Sequence, residues 1–138
     1  MQIARDRGAT WALTLDTDER IVFQGIRDMS DLKNRLDAFP QVDAWLVESR
    51  DRSYSKERFL RTSSLLQWNG KTHKALVCAA PFQRGLLDGC VFWEETKSET
   101  ANDKKFRRDL QILRDETARQ PLDPRWWYYL GQTWEGQI

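Results

Sequence analysis

The most constraining feature of this sequence is a short apolar segment that runs directly into a cluster of acidic residues. Residues 11–15 read Trp-Ala-Leu-Thr-Leu, and Asp16, Asp18 and Glu19 follow within four positions. Aromatic, aliphatic and β-branched residues favour a β-strand, and strand ends are where α/β sheets place ligand-binding groups. The segment therefore predicts a strand that delivers carboxylates to one edge of a sheet.

The spacing of the two aspartates allows two interpretations. Asp16 and Asp18 lie two positions apart, so in an extended backbone both side chains point to the same side. Two carboxylates on one side suit a hard divalent cation that also binds a diphosphate. A polar turn after a buried strand explains the same residues, because short motifs often occur without the associated function. Both interpretations stay open at this point.

Composition restricts the class of protein to a small globular domain. Hydrophobic residues make up 40% of the 138 positions and charged residues 31%, a balance that allows a folded core. The net charge of +1 gives no overall field that attracts nucleic acid, so we expect no nucleic-acid partner. The longest apolar run, residues 75–82, is too short to cross a bilayer, and residues 1–7 lack the apolar core of a signal peptide. We therefore expect a cytoplasmic protein with no transmembrane segment.

The first two thirds of the chain alternate strand and helix patterns. Further strands are expected over residues 42–48, 58–68 (as two short strands or a hairpin), 73–79 and 89–93. Ser30 opens a short helix, and Pro40 closes it. This alternation predicts the α/β class, with helices that flank a sheet.

The composition changes after Trp93, because residues 94–125 mix acidic and basic residues in equal numbers. Helical spacing connects four positions in this stretch, namely Phe106, Leu110, Leu113 and Thr117. Thr100 and Asp103 resemble a capping box at the start of this helix. Asp123 and Pro124 are typical of the start of a second helix. The sequence therefore predicts a C-terminal helical hairpin.

One segment carries an excess of positive charge. Between Val47 and Lys74 there are seven basic residues against three acidic ones, and His73, the only histidine, lies in the same segment. A basic segment downstream of an acidic turn fits a site that holds a metal and an anionic leaving group. A solvated basic face explains the same charges, and the sequence leaves both interpretations open.

Four motifs in order resemble one branch of the family 2 glycosyltransferases, which have the GT-A fold. Residues 11–20 are similar to the metal-binding strand end of that family, an apolar strand followed by Asp-x-Asp-Glu-Arg. Residues 58–61 and 68–73 resemble the next segment of the branch, an Arg-Leu-Phe-Arg strand followed by Trp-x-Gly-x-x-His-Glu. Residues 103–109 resemble its Lys-Phe-x-Arg-Asp helix, and residues 121–134 resemble the tetratricopeptide-like helices appended to it.

The resemblance implies a metal-dependent transferase and assigns residues to its site. Asp18 would coordinate the Mn²⁺ or Mg²⁺ that holds the diphosphate of a nucleotide-sugar donor, and Asp16 would face that metal or the ribose. His73 matches the histidine that lies near the metal and the diphosphate in the family. Asp18 and His73 are thus the expected catalytic residues, and the same two with Asp16 are the expected metal ligands. Arg58 and Arg61 are the expected donor-binding arginines, although a spacing of three on a strand places them on opposite faces.

The resemblance also implies a partial fold. In the family, the βαβ units that bind the nucleotide precede the metal-binding strand, which is near the start of this chain. We therefore expect residues 1–95 to be the carboxyl half of a GT-A-like domain and residues 96–138 to be a helical hairpin that begins a tetratricopeptide-like region. The chain would then be a gene fragment, a split subunit completed by a partner chain, or a degenerate relative. Its acceptor would be a sugar, a protein or a lipid.

Departures from the family pattern support an alternative function. Lys74 stands where the family usually has a glutamate after the histidine. A carboxylate is the natural general base for an acceptor hydroxyl, and Glu94, Glu48 or Asp51 could take that place. The alternative is a non-catalytic interaction or assembly module that self-associates or recruits a helix. Its expected surface is an exposed aromatic helix that ends near Trp134.

Overall fold

The structure, a computed structural model, describes residues 1–136. The helices are α1 (Gln2–Asp6), α2 (Met29–Asp37), α3 (Glu99–Arg119) and α4 (Pro124–Glu135). The strands are β1 (Trp11–Leu13), β2 (Glu19–Phe23), β3 (Ala44–Ser49), β4 (Ser55–Arg61), β5 (Gln67–Asn69), β6 (Ala75–Val77) and β7 (Arg84–Glu94). The predicted mixed α/β class is confirmed, and its GT-A type stays a prediction. Among the described residues, no helix is both long and apolar enough to cross a membrane.

The chain folds into two compact units. Unit 1 comprises Met1–Gln67 and Leu76–Glu95, and unit 2 comprises Trp68–Ala75 and the chain from Thr96 onward. The sequence pattern places residues 68–75 with the sheet, whereas the structure places them with the helices. This difference matters because His73 lies in that segment and therefore belongs to unit 2.

A five-stranded mixed sheet forms most of unit 1. Its strand order is β1-β4-β3-β7-β2, with β3 and β7 parallel and the other neighbours antiparallel. β1 and β2 are consecutive in the chain yet lie at the two edges of the sheet, and residues 14–18 join them. In a flat sheet these edges would be four strand spacings of about 4.8 Å apart. The sheet instead curls, which lets side chains of β2 bond to side chains of β4.

A β-bulge in β4 sets the direction of Arg58. Trp45 of β3 pairs with Phe59 and Leu46 pairs with Glu57, so Arg58 is an extra residue with no counterpart on β3. Bulges re-aim the side chain of the extra residue, and the side chain of Arg58 is buried. Regular strand alternation across residues 58–61, which the sequence analysis used to place the arginines, is therefore wrong.

Helix α2 packs against the sheet to form the core of unit 1. The helix begins at Asp28, whose side chain accepts a hydrogen bond from the backbone N–H of Asp31 over 2.8 Å. Leu32 and Leu36 are buried in the same cluster as Trp45. The indole N–H of Trp45 donates to the carbonyl of Leu36 over 3.2 Å. The short helix expected here is confirmed, although its cap lies two residues earlier than predicted.

A helical hairpin forms most of unit 2, as predicted. Helix α3 is capped by Ser98, which accepts a hydrogen bond from the first helical turn, and not by Thr100. Helix α4 begins as expected, because Asp123 accepts a hydrogen bond from the N–H of Arg125 and Pro124 is the first helical residue. The two helix starts are local features, and sequence reasoning located them to within two residues.

Candidate functional site

A tight turn between β1 and β2 carries two of the predicted metal ligands. β1 ends at Leu13, two residues earlier than expected, and the backbone N–H of Glu19 donates to the carbonyl of Asp16 over 3.0 Å. Asp16 and Asp18 are therefore the first and third residues of a β-turn. Because these residues form a turn and not an extended strand, the strand geometry that would point both side chains to the same side does not apply. The polar turn is observed, with Asp16 exposed and Asp18 half-buried, and metal binding there stays a prediction.

Glu19, the last residue of the turn, is the centre of a buried ion network. Its side chain is fully buried, and Oε1 accepts hydrogen bonds from Nζ of Lys56 over 2.8 Å and from the guanidinium of Arg58. Oε2 accepts from the backbone N–H of Asp16 over 3.1 Å. Lys56 also donates to Glu94 over 2.8 Å. The network thus joins β2, β4 and β7, and it fixes the start of the aspartate turn.

The pKa values of Glu19 and Lys56 are both shifted toward their charged forms. Burial raises the pKa of Glu19, but the hydrogen bonds from Lys56 and Asp16 and the charge of Arg58 outweigh burial, so the pKa lies below its ordinary value. Burial lowers the pKa of Lys56, but its bonds to Glu19 and Glu94 outweigh burial and raise the pKa. Glu19 is therefore an anion whose oxygens are occupied by donors. Such a group holds structure in place and does not exchange protons near pH 7.

The two arginines predicted to bind the donor make contacts within unit 1. Arg58 is 5% exposed and pairs with Glu19, and its Nε has no hydrogen-bond partner among residues 1–136. Arg61 donates from Nε and from a terminal nitrogen to the carbonyl of Val42, over 3.1 and 2.9 Å. The guanidinium of Arg61 also lies 4.3 Å from the ring centroid of Trp11. Both arginines thus stabilise the sheet, and donor binding by either stays a prediction.

His73, the predicted catalytic histidine, lies in unit 2. Its backbone has a φ of 46°, in the left-handed region that is uncommon for residues other than glycine. The ring stacks on Tyr129 with a centroid distance of 4.2 Å, and the guanidinium of Arg125 donates to the His73 carbonyl. Burial lowers the pKa of His73, and the charge of Asp109 offsets this only in part. The imidazole is therefore neutral at pH 7.

The three predicted metal ligands are divided between the two units. Asp16 and Asp18 belong to unit 1, and His73 belongs to unit 2. Within the described part of the chain, no group of three or more histidine, cysteine, aspartate or glutamate side chains is arranged to bind a metal ion. The assignment of Mn²⁺ or Mg²⁺ therefore rests on the sequence resemblance and stays a prediction.

Sequence reasoning did not identify a second buried glutamate, in unit 2. Glu116 is 1% exposed, and its carboxylate bonds to Lys71 over 3.0 Å and to Arg119 over 2.6 Å. A signal was present, because Glu116 follows Leu113 by three positions and therefore lies on the apolar face of α3. No comparable signal marks Lys56, since its bond to Glu19 depends on the curl of the sheet.

Comparison with models of known protein families found no match, and comparison with curated proteins found none either. Functional assignment therefore rests on the residues and contacts described above. The buried glutamates with the most side-chain bonds are Glu19, which anchors the turn in unit 1, and Glu116 in unit 2.

Replacing Glu19 by glutamine removes the charge that neutralises Arg58 and Lys56. Breaking one partner of a buried ion pair costs about 3–5 kcal/mol, so Glu19→Gln should lower the free energy of unfolding at pH 7 by about 3 kcal/mol. Because folding lowers the Glu19 pKa from 4.5, its ionised form stabilises the fold above that pH. The contribution is lost as pH falls through the folded-state pKa. In urea denaturation, the free energy of unfolding should therefore fall more steeply with decreasing pH in the wild type than in Glu19→Gln.

The matched control is Glu57→Gln in the same sheet. Glu57 bonds to Arg84 over 2.7 Å, but that pair is partly exposed. Surface ion pairs contribute about 0–1 kcal/mol, so the control should unfold almost like the wild type. Equal losses for the two variants, or parallel pH curves for the wild type and Glu19→Gln, would contradict the assignment of Glu19.

Proposed function

We propose that this chain is an interaction module that pairs with a second copy of itself through the exposed face of α4. The observation that carries this proposal is the arrangement of Trp127, Gly131 and Trp134, all of which are exposed. Their spacing of four and three residues places them in one line along the helix. Two large aromatic side chains thus flank a residue with no side chain.

Gly131 gives this face a gap into which another helix can pack. A Cβ atom added at Gly131 would meet no atom within 4 Å, so the space above the helix is open. Packed helices place the side-chain ridges of one into the grooves of the other. Because α4 carries both the aromatic ridge and the gap, two copies related by a twofold axis complement each other. This complementarity favours a second copy of the chain over an unrelated partner.

The exposure of these aromatic side chains supports the proposal. Trp127 is 53% exposed, Tyr128 is 62% exposed and Trp134 is 46% exposed. Exposed aromatic side chains grouped on one helix are typical of interaction sites. The net charge of +1 adds little repulsion between copies, and near-neutral proteins associate more readily.

Filling the gap tests the proposal without disturbing the fold. Gly131→Leu adds a side chain where the helix has open space, and leucine is a better helix former than glycine by about 1 kcal/mol. The single copy should therefore be as stable as the wild type or more so in urea denaturation. Pairing should weaken about tenfold or more, which is about 1.4 kcal/mol, in sedimentation equilibrium.

The control adds the same leucine elsewhere on the helical hairpin. Ala101 is exposed on α3, so Ala101→Leu increases apolar surface without filling the gap, and pairing should stay unchanged. A wild-type chain that stays a single copy at all concentrations would contradict the proposal. Equal pairing by Gly131→Leu and the wild type would contradict it as well.

A metal-dependent glycosyltransferase is the second candidate function, proposed from the sequence resemblance. The observation that favours it is the position of Asp16 and Asp18 on one short turn, which Glu19 anchors through the backbone N–H of Asp16. Carboxylates held in place suit a divalent cation that also binds a diphosphate. Such an ion would offset the charge that builds on a departing nucleotide diphosphate.

Calorimetry tests the transferase candidate directly. With Mn²⁺ present, the wild type should bind a UDP-sugar or a GDP-sugar in a saturable manner, and Asp18→Ala should abolish this binding because it removes a metal ligand. The control, Asp88→Ala, changes an exposed aspartate outside the turn and should bind like the wild type. No binding by the wild type, or equal binding by Asp18→Ala, would refute this candidate.

A further inference from the structure

Strand β2 lies at one edge of the five-stranded sheet and pairs with a single neighbour, β7. Among the described helices and strands, β7 is also the only one that runs alongside β2. The curl of the sheet joins β2 to β4 through the side chain of Glu19, which is the first residue of the strand. The outer edge of β2 over residues 20–23 is therefore open.

The register with β7 determines which backbone groups of β2 point away from the sheet. The N–H of Gln24 donates to the carbonyl of Gly89 on the β7 side over 2.8 Å. In an antiparallel pair every second residue exchanges hydrogen bonds with its partner, so Val22 also bonds to β7. The N–H and C=O groups of Ile21 and Phe23 therefore point outward, and they make no hydrogen bond to another described residue.

Apolar side chains accompany these outward backbone groups. Val22 is 41% exposed and Phe23 is 43% exposed, although both residue types are typical of strands that are covered by neighbours. Proteins usually protect an edge strand with proline, lysine or a bulge. Residues 21–23 read Ile-Val-Phe and keep a regular register with β7, so none of these protections is present there. The edge is thus suited to accept another strand.

We propose that β2 pairs in antiparallel fashion with β2 of a second copy of this chain, about a twofold axis at Val22. The outward backbone groups set the register, because Ile21 of each copy then exchanges hydrogen bonds with Phe23 of the other. Val22 lies opposite Val22 of the second copy as a non-hydrogen-bonded pair, with the two Cα atoms about 4.5 Å apart. The two sheets thereby become one continuous sheet.

The side chains of β2 complement each other in this register. The aromatic ring of Phe23 faces the β-branched side chain of Ile21, and valine faces valine, which are favourable cross-strand pairs. Arg20 faces the neutral Gln24, so no like charges lie opposite each other. A twofold contact requires one strand to complement itself in this way. The match therefore favours a second copy of the chain over an unrelated extended peptide.

Pairing through β2 is independent of pairing through α4, because β2 belongs to unit 1 and α4 belongs to unit 2. A chain with two different twofold contacts assembles beyond a pair, so sedimentation of the wild type combines both contacts. The test therefore uses Gly131→Leu as the parent chain, in which the gap on α4 is filled. Pairing that persists in this parent reports on β2.

Charge exchange at the twofold axis tests the register by sedimentation equilibrium. Val22→Lys and Val22→Glu are each added to the parent, and the side chain they replace is exposed, so the fold should persist. Each variant alone should pair about tenfold or more weakly than the parent, because like charges then lie directly opposite each other. An equimolar mixture of the two variants should recover pairing, because opposite charges then face each other.

Two further comparisons serve as controls. Val77 on β6 is 39% exposed, so Val77→Lys and Val77→Glu make the same changes on another strand and should pair like the parent, alone or mixed. Phe23→Pro removes the outward N–H without removing a bond to β7, which edge strands tolerate. It should pair about tenfold more weakly than Phe23→Ala, which keeps the N–H, because one hydrogen bond is lost on each copy.

Three results would overturn pairing through β2. These are a Gly131→Leu parent that stays a single copy at all concentrations, parent-like pairing by Val22→Lys alone, and a mixture that pairs no better than its components. A parent that stays single while the wild type pairs would leave the α4 contact intact. A parent that pairs as tightly as the wild type, but loses pairing with Val22→Lys, would instead refute only the α4 contact.

Discussion

Glu19 and Arg58 bond to each other although their strands, β2 and β4, are separated in the sheet by β3 and β7. Their contact requires both the curl of the sheet and the bulge that directs Arg58 inward. In turn, each charge tolerates burial because the other is present. The turn that carries Asp16 bonds to the same carboxylate. The geometry of the most distinctive sequence motif therefore depends on this one ion pair.

Unit 2 also contains a buried glutamate that is neutralised by basic side chains. Glu116 is buried on the apolar face of α3, and Lys71 from the loop at residues 68–75 and Arg119 from the helix neutralise it. The ion pair with Lys71 connects that loop to the hairpin, which places the loop beside Trp126. Helix α4 thereby has one buried aromatic side chain, Trp126, and three exposed ones, Trp127, Tyr128 and Trp134.

Local patterns allowed part of this fold to be predicted from the sequence. The start of α4 at Asp123 and Pro124 was located correctly, because capping depends on neighbouring residues. The bulge at Arg58 could not be predicted, because it depends on how β4 pairs with β3. The same holds for His73, whose membership of unit 2 depends on contacts with residues far away in sequence. Helix starts depend on neighbouring residues and can be predicted. A site depends on contacts between residues that are distant in the sequence, which the sequence pattern does not show.

The turn at residues 16–19 shows why a motif alone did not define the site. Its residues match a metal-binding pattern, yet the acid most enclosed by cations is Glu19, and its oxygens are already occupied. Exposed aromatic side chains are instead concentrated on α4, which is why we propose pairing through its outer face.

The most direct test of the central claim, pairing through the outer face of α4, is ¹⁹F NMR of the chain labelled with 5-fluorotryptophan. Spectra are recorded across a dilution series, because pairing depends on concentration by mass action. We predict that the signals of Trp127 and Trp134 shift with concentration while that of the buried Trp45 stays constant. Signals of Trp127 and Trp134 that do not change with concentration would contradict it.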